Sequence, residues 1–134
     1  MLVSSGLSVL PFPRCANYCA TKAALHSLAW SLRAQLAGPD SPATHHIRVI
    51  ELLPPAVQTE LHPSQPDLVA AGQDRIGIPL DTYADETWAD LTAEEEQDEI
   101  VHSVHRERLR PSEDLRREGF NTFVRVMRER GSKF

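Results

Sequence analysis

Tyr18-Cys19-Ala20-Thr21-Lys22, at the centre of the stretch from Ser5 to Leu36, sets a phenol and an ammonium four residues apart where a long helical pattern opens. Side chains four apart share one face of a helix, so both groups point into the same space. Two fields there favour the phenolate: the Lys22 charge and the positive N-terminal end of the helix. A tyrosine placed in this way can exchange a proton, as general acid–base chemistry requires.

Working outward, residues 2–4 read as the end of a buried strand, with Ser5 at its carboxyl edge. Gly6 to Asn17 reads as a loop punctuated by Pro11 and Pro13, and Asn17 as the N-cap of a helix from Tyr18 to Leu36. Only Lys22 and Arg33 are charged in that helix, and its Ala, Leu and Trp residues go nearly all the way round. Such a helix is expected to be buried on all sides. One side would face a sheet and the other a second copy of the chain, giving a homo-oligomer through residues 18–36; the alternative is an intradomain core helix.

Gly38-Pro39-Asp40-Ser41-Pro42 should stop the helix, and Ile47 to Leu53 reads as a strand ended by Pro54-Pro55. Strand, helix and strand joined by a long crossover predict a right-handed parallel unit and an α/β fold. Ligands in open α/β sheets gather at the carboxyl ends of the strands, where Ser5 and Pro54 both lie.

Val3-Ser4-Ser5-Gly6, Tyr18-Cys19-Ala20-Thr21-Lys22 and Ala23-Ala24-Leu25 together resemble the active-site segment of short-chain dehydrogenases/reductases. In that family a serine lies thirteen positions before the Tyr of a Tyr-x-x-x-Lys motif, which selects Ser5 over Ser4. The resemblance covers most of residues 1 to about 61 well and the remainder loosely. It implies a Rossmann-type, doubly wound parallel sheet and an NAD(P)-dependent oxidoreductase interconverting a carbonyl and an alcohol. Tyr18 would be its proton donor, Lys22 would also contact the nicotinamide ribose, and Ser5 would hold the carbonyl of a small-molecule substrate. Pro54-Pro55-Ala56-Val57-Gln58-Thr59 resembles the family's Pro-Gly-x-x-x-Thr segment, which lies against the nicotinamide. Pro54, Val57 and Thr59 therefore join Tyr18 and Lys22 as expected contacts of NAD or NADP. Pro55 stands where the family has glycine, fixing φ and removing an N–H.

The chain lacks the family's Gly-rich GxxxGxG turn and its Asn-Ala-Gly stretch. It is therefore read as the C-terminal part of one such domain, with the dinucleotide-binding half absent. Residues 1–61 would be the active-site strand–helix–strand, 62–79 a lid-like loop, and 80–134 the C-terminal helices. A catalytically inactive remnant with only a structural or dimerising role is the alternative.

Composition narrows the function classes. With 134 residues, 41% hydrophobic and 25% charged, the chain suits one globular domain. A net charge of −5 argues against nucleic acid, which calls for a clustered basic surface. No apolar run suits a membrane span, and the opening residues lack a basic leader. The two cysteines point to a reducing, cytoplasmic setting. Cys15 and Cys19 lack a second ligand pair at zinc spacing and the histidines are scattered, so no metal site is expected.

Beyond residue 60 the pattern is plainer. Glu60 to Pro79 is polar and irregular, the length of a lid. Leu80 to Leu91 carries an apolar stripe at helical spacing, and an acidic connection follows over 92–98. Ile100 and Val101 suit a short last strand. Pro111 to Arg130 reads as the closing helix, with Ser112 as its N-cap.

Overall fold

Glu51-Leu52-Leu53 is buried at all three positions and forms the middle strand of the sheet. In the computed structural model, which describes residues 1–38 and 42–134, three short strands pair in parallel. They are β1 (Leu2–Val3), β2 (Glu51–Leu53) and β3 (Glu99–Val101), in that spatial order. The register sets Val3 beside Leu52 and Leu52 beside Ile100. Four helices complete the α/β fold: α1 (Ala16–Leu36), α2 (Pro66–Ala70), α3 (Leu80–Leu91) and α4 (Ser103–Glu129). None among the described residues is long and apolar enough to cross a membrane.

The strand expected over 47–53 enters the ladder only with its last three residues. Ile50 still accepts from Leu2 N–H at 2.8 Å, but Ile47 and Arg48 are exposed and approach the sheet without joining it. The breaker segment's residues 39–41 lie outside the described residues.

Helix α1 begins two residues before Tyr18. A 3-10 turn over Pro13–Cys15 feeds directly into it, Cys15 is the cap, and Asn17 sits in the first turn. Its inward face buries Cys19, His26, Ala29 and Trp30. Ala20, Ala24 and Leu28, four apart on the other side, are exposed. Burial on all sides is therefore not met within one chain.

The closing helix starts eight residues earlier than its pattern suggests. His102 caps it, Nδ1 accepting from Val104 N–H at 3.3 Å, and Pro111 lies inside it. Ser112 is no cap: its hydroxyl donates to Leu109 C=O at 2.9 Å within the helix. A proline there removes one helical donor, and burial of the turn before it supports the helix across that gap. Leu109, on that turn, is 3% exposed.

The segment expected to be irregular over 60–79 is an organised loop. It contains α2, buries Leu68, and closes where Val57 and Ile78 form a parallel bridge. Gly77 makes that closure possible. Its φ is +104°, and a Cβ there would lie 2.4 Å from Ala56 O.

Candidate active site

The carboxyl end of β1 and the first two turns of α1 meet through Lys22. Its Nζ donates to Val3 C=O at 2.9 Å and lies 5.5 Å from the centre of the Tyr18 ring. One ammonium thus ties the strand that leads into Ser5 to the tyrosine on the helix. It has two further N–H donors for a ligand. Tyr18 is 44% exposed, so its phenol is open to an incoming molecule.

The adjacent serines do different work. Ser4 is buried and donates to Leu52 C=O at 3.2 Å, holding β1 to β2. Ser5 caps the 3-10 turn Gly6–Ser8, its Oγ accepting from Leu7 N–H at 3.1 Å. That bond uses one lone pair and leaves the Ser5 hydroxyl proton for another acceptor. The turn after it is fixed further by the Ser8 hydroxyl, which donates to Ser5 C=O at 2.6 Å.

Pro54 and the following residues border the same edge. Pro54 C=O accepts from Gly6 N–H at 3.0 Å, joining this segment to the Ser5 turn. In the bridge to Ile78, Gln58 N–H donates to Ile78 C=O at 2.8 Å and Ala56 C=O accepts from Ile78 N–H at 3.0 Å. Successive backbone groups alternate in direction along an extended segment, so the N–H and C=O of Val57 point away from Ile78. Thr59 is exposed and its Oγ1 accepts from Leu61 N–H at 3.3 Å. The structure therefore brings Ser5, Lys22 and Pro54 to one edge through Val3 and Gly6. Val57 and Thr59 follow on the strand exit, and Tyr18 overhangs Lys22. An outward-facing amide, a spare ammonium and an open phenol fit the polar nicotinamide and ribose end of a dinucleotide.

Sequence reasoning missed a second constellation, beneath the first. His26 is fully buried between two carboxylates. Its Nδ1 is 3.0 Å from both oxygens of Glu51, and its Nε2 is 2.7 Å from Glu113 Oε2. Burial alone would depress the imidazole pKa. The hydrogen bonds it donates to Glu113 and Glu51, with the charges of those carboxylates, outweigh it and raise His26 to about 9. Burial also works against ionisation of Glu113, yet the His26 bond and charge and the Arg116 guanidinium hold it below the usual carboxylate range. A third carboxylate, Glu99, accepts from Trp30 Nε1 at 2.6 Å, from Arg33 at 2.9 Å, and from Arg117. His26, Glu51 and Glu99 bring donor atoms within 4.8 Å of one another, as a metal site would. Here they are already engaged by an imidazole, an indole and two guanidinium groups. The signal was available in sequence: Glu51 sits among Val49, Ile50, Leu52 and Leu53, and a buried carboxylate must find a partner.

No solved structure matches the chain. A Bacillus subtilis (strain 168) protein, the uncharacterized oxidoreductase DltE, is 43% identical over 65 residues. Those residues make up 48% of this chain and 23% of that relative, so the match spans less than a quarter of its length. The family model for short chain dehydrogenase matches residues 1–68, which hold β1, α1, β2 and the start of α2. The chain belongs to the short-chain dehydrogenase family.

Proposed function

We propose that this chain carries the proton-handling part of an NAD- or NADP-dependent oxidoreductase that interconverts a carbonyl and an alcohol. The observation that carries the reading is the position of Lys22 Nζ, 2.9 Å from Val3 O and 5.5 Å from the Tyr18 ring centre. The nicotinamide, when bound, supplies the hydride. Tyr18 gives its hydroxyl proton to the carbonyl oxygen, and the Lys22 charge stabilises the phenolate left behind. Ser5 donates a hydrogen bond to the same oxygen and so orients the carbonyl. Pro54, Val57 and Thr59 border the nicotinamide end, and Lys22 has donors for the ribose.

A second reading rests on Ala20, Ala24 and Leu28, the exposed stripe of α1. That surface supports assembly with a second copy of the chain, and the chain would then be a structural, dimerising remnant without turnover. Titration of the 134-residue chain with NADH and NADPH, followed by fluorescence or calorimetry, separates the two readings. Micromolar binding supports the first; no binding at millimolar cofactor supports the second. In a form that turns over, Tyr18→Phe should abolish reduction and leave cofactor affinity nearly intact. Unchanged turnover would remove Tyr18 from the mechanism.

A further inference from the structure

Cys15 and Cys19 are the chain's two cysteines, and the fold brings their sulfurs to 3.8 Å. Both converge on one peptide group. Phe12 N–H donates to Cys19 Sγ at 3.3 Å, and Phe12 C=O accepts from the thiols of Cys15 at 3.7 Å and Cys19 at 3.6 Å. A disulfide needs Cα atoms about 4.4–6.8 Å apart and sulfurs about 2.05 Å apart. Residues one turn apart at i and i+4 have Cα atoms about 6 Å apart, inside that window. In a regular helix parallel Cα–Cβ bonds would oppose closure. Cys15 escapes that limit because it is the cap, with φ −126° and ψ 49°, and its side chain does not follow the helix.

We propose that Cys15 and Cys19 form a dithiol modification site, which a small-molecule disulfide converts into an intramolecular disulfide across the first turn of α1. Cys15, partly exposed, is the attacking thiol, and buried Cys19 resolves. The Cys15 thiolate attacks one sulfur of glutathione disulfide, forming a mixed disulfide and expelling one glutathione thiolate. The Cys19 thiolate then attacks the Cys15 sulfur, forming the Cys15–Cys19 bond and expelling the second. Two protein thiols are oxidised, one disulfide is reduced to two glutathione thiols, and their two protons go with the products. Burial and the neighbouring Cys19 hold the Cys15 thiol above its ordinary value, so the first step accelerates as pH rises.

The bond removes both S–H donors from Phe12 C=O and so loosens the loop leading into Tyr18. An effect on turnover rests on the reading of Tyr18 as proton donor; bond formation does not. The test is intact mass and thiol count of the 134-residue chain after incubation with glutathione disulfide and an alkylating quench. The proposal expects both free thiols lost, a mass lower by two hydrogens, and no lasting glutathione adduct. Cys19→Ser should instead accumulate an adduct on Cys15, and Cys15→Ser should react about tenfold more slowly than the native chain, Cys19 being buried. A stable adduct on native Cys15, disulfide-linked dimers, or two intact thiols after prolonged incubation would each overturn it. Should either variant fail to fold, the native chain's mass alone decides.

Discussion

Nδ1 of His26 lies 3.0 Å from both carboxylate oxygens of Glu51, and solvent reaches neither side chain. Nε2 of the same ring reaches Glu113 at 2.7 Å, so one imidazole joins α1, β2 and α4. Glu113 is shared with Arg116 at 2.7 Å, and the four groups pair two positive charges with two negative ones. Removing one member of a buried ionic group is costly because the charge left behind has no water to solvate it.

This arrangement sets the alkaline limit of stability. His26 titrates at about 9 in the folded chain against 6.5 for a free imidazole. A raised value means the stabilisation is fully present below 6.5 and is lost as pH rises through about 9. The shift corresponds to roughly 3 kcal/mol at its plateau. Thermal melting should therefore fall steadily between pH 7 and pH 9.5 in the native chain. In His26→Gln it should start lower and stay flat over the same range. Parallel pH profiles for the two proteins would show that His26 is not the titrating group.

Glu113 is one of the residues that tie α4 to the rest of the fold. Its carboxyl is held below the usual range, so its contribution is present above that range and is lost as pH falls through the lowered value. Glu113→Ala leaves the buried imidazole with one partner fewer and should cost about 3–5 kcal/mol. Hydrogen exchange should show protection lost first over 103–129 while 16–36 keeps theirs. Uniform loss across both helices would mean that α4 does not undock as a separate unit.

The sheet, α1 and α3 were legible because their signals are local: apolar runs, breaker residues and helical spacing. The start of α4 was not. His102 to Arg110 contains one deeply buried apolar side chain, Leu109, among charges, and Pro111 imitates a helix start. Tertiary contacts override that punctuation. The ion network was hidden for a related reason. His26, Glu51, Glu99 and Glu113 lie on four elements, and only folding brings them together. The proximity of Tyr18 and Lys22, four residues apart on one helix, needed no such assembly.

Gly77 should resist substitution although it is exposed. A methyl group in Gly77→Ala meets Ala56 O at 2.4 Å, and φ of +104° disfavours any side chain. The strain is of order 1–3 kcal/mol. Relief requires opening the Val57–Ile78 bridge, so proteolysis between 60 and 78 should accelerate while the melting temperature drops only modestly. An unchanged cleavage rate would show that the loop is closed by other contacts.

Arg14 ties the same loop to the segment entering α1. Its guanidinium pairs with Asp67 and reaches Gln73 Oε1 at 3.4 Å, four residues before Tyr18. Asp67 lies in the first turn of α2 and Gln73 follows its end, so this contact ties the loop to the segment entering α1. The pair is solvent-exposed and such pairs contribute about 0–1 kcal/mol, which makes Arg14 dispensable for stability. Arg14→Ala should leave the melting temperature within a degree or two and speed proteolysis of the 60–78 segment. In a form that turns over, and on the proposed reading of this loop as a lid over the substrate, it should move KM more than kcat. A large fall in melting temperature with unchanged loop cleavage would reverse the assignment and make Arg14 a structural anchor of α1.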